Sequence, residues 1–446
     1  MNRFHEENNE LLQHYLDRNY FKQDPDEDNY PAIEFMLTSD CDHRCKYCYL
    51  KKHEEKLYPK EIRDPELILK NAAIFLDYLA EKQCKFKPDI FSGELFSQEL
   101  GFDFLELLYQ HALRCPGSFK AITVPSNMSF IADEEKIRRV ENEIKRFSEI
   151  NITLHISASF DGKYLLENRP FIDGNEIRDE EYFEKLFHFV WKHRCGLHPM
   201  VSAFNIDKWK DNYQWFKNMA KKHNIIDPLT KEGIEPMMLV VRDDNWTEEA
   251  VSHLLDYLDY VINNKYEELG SDPAKFAEYL FRTHKDRHEN ITMPVHYGSG
   301  NKISCGIQHY LTVRMGDLTI VQCHRMAYDQ FNAGRFMLED DKITGVQAGN
   351  LGMFLTIKAA LGQNLPQCEN CVIHPVCMKG CLGSQYENTR DPFLPVESVC
   401  DMLKARTKHM LTRYMELGVM EQAFTFLPEN EILVFQQIME ELGVPQ

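Results

Sequence analysis

Short apolar, β-rich runs alternate with longer helical stretches between residues 31 and 242. The runs fall at 32–37, 89–91, 120–124, 152–156, 198–203 and 236–241, and the helical stretches at 67–80, 102–112, 134–147, 182–193 and 213–223. This alternation predicts six successive βα units around a parallel sheet, an α/β fold. Residues 1–30 are polar and acidic, with one amphipathic helix expected at 11–16 and an Asp- and Pro-rich loop at 24–28, and they read as an extension. Residues 245–290 are charged and helical, with amphipathic stretches at 251–262 and 273–281 that suit a bridge between domains. Two helices, 402–417 and 429–442, are expected to close the chain.

With 446 residues the chain exceeds what one compact core usually holds, so at least two domains are expected. A hydrophobic content of 43% is ample for real cores. The net charge of −19 argues against a nucleic-acid-binding surface, which needs clustered Lys and Arg. A neutral or basic substrate suits it better. No run of eighteen apolar residues is present and the N-terminus lacks a signal-peptide core, so no membrane association and a cytoplasmic location are expected. Thirteen cysteines in a reducing compartment point to metal or redox chemistry and not to a disulfide framework.

The densest chemistry follows the first run, in Thr38-Ser39-Asp40-Cys41-Asp42-His43-Arg44-Cys45-Lys46-Tyr47-Cys48-Tyr49. Three thiols spaced C-x3-C-x2-C wrap one metal centre and leave it a ligand short. Thiolates select iron–sulfur, copper(I) or zinc. A cubane cluster normally takes four cysteines, so three would leave one iron open to an outside ligand. Zinc held by the same thiols and His53 is the other reading of this loop. Polar segments follow later runs as well: Ser92-Gly93-Glu94-Leu95, Pro125-Ser126-Asn127, and Ser157-Ala158-Ser159-Phe160-Asp161-Gly162 with Asn168-Arg169 beyond it. Chemistry in a barrel sits at these C-terminal strand ends, although each segment also fits a plain polar turn. His198, Asn205 and Arg242 are further candidates to face a substrate.

The cysteine loop resembles that of the radical SAM enzymes. The resemblance implies a partial (β/α)6 TIM-like barrel in which Cys41, Cys45 and Cys48 hold a [4Fe-4S] cluster. S-adenosylmethionine would chelate the open iron and be cleaved by one electron to a 5′-deoxyadenosyl radical. It also implies Tyr47 beside the adenine, and Ser92, Gly93 and Glu94 at the SAM amino group, where Ser-Gly-Glu-Leu departs from the family's GGEP at its first and last positions. Ser126 and Asn127 would add to the cofactor site, with Ser157, Ser159, Asp161 and Arg169 near the methionine carboxylate and ribose. The last segment is similar to that of anaerobic sulfatase-maturing and related peptide-modifying enzymes.

A second array contains Cys305, Cys323, Cys368, Cys371, Cys377, Cys381 and Cys400, with Gly316 between the first two. It resembles the SPASM domain, which holds two auxiliary [4Fe-4S] clusters, for three clusters in all. The resemblance implies Cys305, Cys323 and Cys381 for the first auxiliary cluster and Cys368, Cys371, Cys377 and Cys400 for the second. Two departures stand out. The stretch from Gly316 to Cys323 is about two residues longer than the common form, and no cysteine between Cys305 and Cys323 completes the first auxiliary site. Another residue type closes that site, or its iron is left to bind a substrate group such as a thiolate. His324-Arg325 resembles the C-H-R element of peptide maturases, whereas sulfatase-maturing enzymes carry an aspartate after that cysteine.

The resulting division is 1–30 extension, 31–242 radical SAM barrel, 243–304 helical bridge, 305–400 SPASM domain and 401–446 terminal helices. The resemblance implies an enzyme acting on a peptide or protein, supplied by an electron donor such as flavodoxin or ferredoxin, and installing a thioether or carbon–carbon crosslink. Peptide epimerisation and residue oxidation of the sulfatase-maturase type are alternatives. A noncatalytic electron carrier or a zinc scaffold are alternatives of another class. No catalytic residue beyond the cofactor sites is assigned, and Cys84, Cys115 and Cys195 read as small buried hydrophobes.

Overall fold

The computed structural model describes residues 2–21, 30–50, 61–174, 178–234, 239–241, 245–283, 307, 310–360, 365–377 and 380–445. They fall into two units, one within residues 1–159, 169–196 and 306–359, the other within 160–168, 197–305 and 360–446.

In the first unit the apolar runs become β1 (Ala32–Met36), β2 (Lys87–Phe91), β3 (Ala121–Ser126) and β4 (Thr153–Ala158), each parallel to the next. Helices Pro65–Glu81, Glu99–Arg114, Glu134–Glu149 and Glu180–His193 separate or follow them. Local chemistry starts these helices where they start. The Asp64 carboxylate accepts from the Glu66 and Leu67 amides with Pro65 in the first turn, and Asp133 accepts from Glu135 and Lys136. The core is aromatic: Phe35 of β1 meets Phe75, Phe86 and Phe104 at ring-centre distances of 5.7, 6.2 and 5.3 Å.

The chain continues through the short strands β5 (Gly196–Leu197), β6 (Met200–Val201) and β7 (Leu239–Val240). Four more then lie where the sequence reading placed none: β8 (Tyr310–Arg314), β9 (Thr319–Val321), β10 (Gly334–Glu339) and β11 (Lys342–Ala348). β8 lies parallel to β1 on the side away from β2 and sets Thr312 opposite Glu34, while β9, β10 and β11 continue antiparallel. The sheet order is β11-β10-β9-β8-β1-β2-β3-β4-β5, and Gly196 of β5 ends the unit. The β10–β11 hairpin turns at Asp340 and Asp341, both at positive φ, a conformation that aspartate tolerates better than most residues.

The N-terminal residues are not a loose extension. A helix spans Asn2–Leu16 and runs into a π-helical turn, Asp17–Phe21. Leu12, Leu16, Tyr20 and Phe21 are buried, the helix packs on β11, and the Tyr20 hydroxyl donates to the Tyr310 carbonyl at 2.8 Å. Because the apolar stripe is only one residue wide per turn among acids and amides, the pattern understated its length.

In the second unit β6 and β7 form a separate two-stranded parallel sheet. Of the run expected as one strand at 198–203 only Met200–Val201, β6, is strand, and His198 and Pro199 separate it from β5. Pro199 has no N–H to give a ladder. Among the described residues the six expected runs thus do not form one continuous sheet. Helices Trp209–Lys222, Glu248–Glu268 and Glu397–Glu416 build this unit's core around Trp209, Tyr213, Tyr257 and Tyr414. Its buried lysines Lys217 and Lys265 both pair with Glu268. No described helix is long and apolar enough to cross a membrane.

Candidate functional site

The cysteine loop leaves the C-terminal end of β1 and is held from beneath by the turn after β2. Gly93 N–H donates to the Thr38 carbonyl at 2.9 Å, and Glu94 N–H and the Gln98 amide donate to the Asp40 carbonyl at 3.0 and 2.9 Å. A Cβ at Gly93 would lie 2.0 Å from the Asp40 carbonyl oxygen, so only glycine permits this approach. Ser92 is half-buried beside it.

Glu94 is wholly buried, and its carboxylate accepts from the Ser126 hydroxyl at 2.9 Å and from the Asn127 and Phe96 amides at 2.5 and 3.2 Å. Burial, helped by the charge of Asp42, raises this carboxyl to about 7 against the pull of those hydrogen bonds. Glu94, Ser126 and Asn127 are thus brought together, tying the ends of β2 and β3. Ser157 ends half-buried on β4, and Ser159 N–H donates to the Ser126 carbonyl at 2.7 Å.

Cys41, Cys45 and Cys48 are in no disulfide and half-buried, with Cys48 N–H turned back onto the Cys45 carbonyl at 3.0 Å. Burial and the nearby Glu94 carboxylate push the Cys41 thiol far above its usual range, with Asp42 and Cys45 adding to the shift. A thiol among carboxylates is one that a cation, and not a bare thiolate, would satisfy, because metal binding displaces the proton. The donor set therefore fits a thiophilic metal centre. Tyr47 has the Arg169 guanidinium 5.1 Å over its ring.

Inside the loop, Asp42 and His43 carry polar structure that the spacing alone does not reveal. His43 is buried, 2.6 Å from the Asp42 carboxylate at Nδ1 and 2.6 Å from Arg178 at Nε2. Burial and the Arg178 and Arg169 charges hold the imidazole below its usual range, against Asp42. Burial would raise Asp42, but its bonds with His43, Ser129 and Asn127 bring it down to about 2. Cys41 Sγ, an Asp42 oxygen and a His43 nitrogen lie within 4.8 Å of one another. His53 of the zinc reading lies outside the described residues, as do Arg242 and Cys305.

Across β1 a second polar cluster appears. Glu34, the one carboxylate in the apolar run 32–37, accepts from the Thr312 hydroxyl at 2.9 Å and from His324 N–H at 3.2 Å, and lies 2.5 Å from His324 Nδ1. Burial disfavours its charge, but His324 more than offsets this and lowers the carboxyl. The His324 ring stacks on Phe91 at 4.5 Å, and the Arg325 guanidinium sits 4.8 Å over Tyr49, next to Cys48. Cys323-His324-Arg325 is therefore brought to the cysteine loop. Glu34 was missed at the sequence level, where its signal was a lone acid inside an apolar strand.

The remaining candidates belong to the second unit. Asp161 is buried and accepts from Met200 N–H at 2.9 Å, fixing β6. Asn205 accepts from Ser202 N–H and the Trp209 indole at 2.9 and 3.0 Å, a turn-closing role. His198 is half-buried. Cys368 and Cys371 sit on successive tight turns, with Cys371 N–H on the Cys368 carbonyl at 3.1 Å, and Cys381 leads into the helix Leu382–Thr389. The Cys400 thiol, on Glu397–Glu416, is pushed up to about 12 by burial and by Cys377, Cys368 and Cys371. Cys323 lies in the first unit and Cys381 in the second.

No protein-family model matches the chain, and no curated protein matches it. Solved structures do. A histidine-tagged form of anSMEcpe with bound AdoMet aligns over 91% of this chain and 99% of its own, with a TM-score of 0.54 and 13% identity. Native anSMEcpe with AdoMet and Cp18Cys peptide aligns over 87% and 99%, with a TM-score of 0.53 and 13% identity. The form with AdoMet and Kp18Cys peptide covers the same shares at 0.54 and 14%. At such identities what is shared is the fold, and it is the fold of the radical SAM enzymes with a SPASM domain, anSMEcpe being an anaerobic sulfatase-maturing enzyme.

Proposed function

We propose that this chain is a radical SAM enzyme with a SPASM domain that modifies a peptide or protein residue, installing a thioether or carbon–carbon crosslink. The observation that carries the reading is the three half-buried thiols on the loop after β1, closed from below by Gly93, in a fold shared with an enzyme solved with AdoMet and a peptide. A [4Fe-4S] cluster held by Cys41, Cys45 and Cys48, with S-adenosylmethionine on its open iron, would supply the 5′-deoxyadenosyl radical that takes hydrogen from a substrate carbon.

The protein's own part is placement. Glu94, Ser126 and Asn127 hold the strand ends that would frame the cofactor, Tyr47 would lie by the adenine with the Arg169 guanidinium over its ring, and Arg169 with Ser157 and Ser159 at the end of β4 would position the methionine carboxylate and ribose. Gly93 and Ser92 bring backbone to the SAM amino group. Asp161 acts by fixing β6. Cys368, Cys371, Cys377 and Cys400 would hold one auxiliary cluster. We place the boundaries at residues 31–242 for the barrel and 305–400 for the SPASM domain, with a cytoplasmic location and a flavodoxin- or ferredoxin-type electron donor. Oxidation of the sulfatase-maturase type is a second reading, favoured by the likeness to anSMEcpe and opposed by His324 standing where that class has an aspartate.

Mass spectrometry of a short peptide co-expressed with the enzyme tests the reading. A loss of two hydrogens that disappears when Cys41, Cys45 and Cys48 are replaced by alanine supports crosslinking. An unchanged loss in that variant contradicts it.

A further inference from the structure

Arg178 reaches the cysteine loop through His43, and the chemistry of the three groups leaves one arrangement. A guanidinium can only donate, so the His43 Nε2 atom 2.6 Å from Arg178 must accept. In the neutral ring the proton is then on Nδ1, which donates to Asp42 Oδ1 at 2.6 Å. Asn127 Nδ2 donates to the same oxygen at 2.6 Å, which crowds the two donor nitrogens to 2.5 Å. Both ring nitrogens are thus engaged. Although His43 lies within metal-binding reach of Cys41, it has no lone pair left for a metal.

The chain of bonds ends at a cluster thiol. Asp42 Oδ1 is 3.9 Å from Cys41 Sγ, the His43 backbone N–H donates to that sulfur at 3.4 Å, and Asn127 Nδ2 approaches it at 3.7 Å. The far end is anchored as firmly. Arg178 lies 4.4 Å over Phe171 and 5.0 Å over Tyr182, while Arg44 N–H donates to the Pro170 carbonyl and Ile172 N–H to the Asp42 carbonyl at 2.7 and 2.9 Å. A carboxylate beside a cluster thiolate opposes reduction, and N–H donors to its sulfur favour it.

We propose that Arg178, His43 and Asp42 form a fixed relay that positions the Cys41 end of the loop and thereby sets the reduction potential of the cluster it holds. The inference rests on the cofactor reading above. His43 and Arg178 are positioning residues, since they act on the cluster through Asp42 and the loop backbone.

The test is anaerobic reconstitution of the full chain as wild type, D42N, H43L, R178M and the H43L/R178M double variant. Metal content, an EPR-monitored redox titration and thermal unfolding are measured for each. D42N, which keeps the shape and removes the charge, shifts the one-electron equilibrium about tenfold toward the reduced state, equivalent to about 59 mV. R178M shifts it toward the oxidised state and lowers the Tm. On the H43L background both R178M effects vanish, because the relay is already cut. A D42N potential equal to wild type overturns the proposal, and so do R178M effects that persist undiminished without His43. If H43L and R178M fail to fold, the isosteric D42N decides. Wild-type protein that takes up zinc and no iron marks the failure of the cofactor reading itself, which is visible before any variant is compared.

Discussion

The cysteines of the two units sit in opposite electrostatic surroundings. The charges acting on the Cys41 thiol are carboxylates, Asp42 and the fully buried Glu94, while Arg178 reaches this end of the loop through His43. In the second unit Cys377 has Arg406 instead, buried on the same helix as Cys400, its guanidinium brought down to about 10 by burial. The same ligand type is thus placed in an anionic field in one unit and near a cation in the other. Under the proposed reading, clusters bound at the two sites would differ in potential, the first strongly reducing and the second electron-accepting, as an oxidative bond-forming reaction would need.

The largest expected effect separates the two regions outright. C41S abolishes 5′-deoxyadenosine release, whereas C400S leaves release intact and abolishes the peptide product. Parallel assays of the nucleoside and the peptide mass check it. Equal loss of release in both variants would break the comparison.

Next in size is G93A, whose Cβ would overlap the Asp40 carbonyl. It should destabilise the first unit by about 3 kcal/mol, as overpacking against backbone does. Iron should be lost from the first site and kept at the second, as resolved by EPR.

A pH effect confined to the first unit follows. His111 is buried between Phe86 and Phe119, and burial, with Arg114 nearby, lowers its imidazole to about 4. The unfolded chain takes up the proton near 6.5 and the folded one only near 4, so stability is full at neutral pH and falls as the pH drops through that window. The loss is at most about 3 kcal/mol. Urea unfolding at pH 7 and pH 4 measures it, and H111F should flatten the dependence.

The smallest is D64A, which removes the cap of Pro65–Glu81 and should cost about 1 kcal/mol, read as a lower Tm.

The runs at 32–37, 120–124 and 152–156 lie within a residue or two of β1, β3 and β4: β1 is buried on both faces and reads as a continuous apolar stretch, while β3 and β4 alternate buried and more exposed positions. β8 and β9 were not read because they are short, and β10 and β11 because they are largely exposed, as along Lys342–Ala348. The cysteine spacing announced the thiol loop, and spacing could do no more. The residues between the ligands, Asp42 and His43, reveal their role only once folding brings Asn127 and Arg178 to them. Glu34 was likewise hidden until β8 and His324 closed around it.

The most direct measurement is made on the wild-type protein after anaerobic reconstitution: iron and sulfide content, then 5′-deoxyadenosine formed from S-adenosylmethionine under strong reductant. Our account predicts bound iron–sulfur clusters and nucleoside release. Zinc-loaded protein, or iron-loaded protein that never releases the nucleoside, would contradict it.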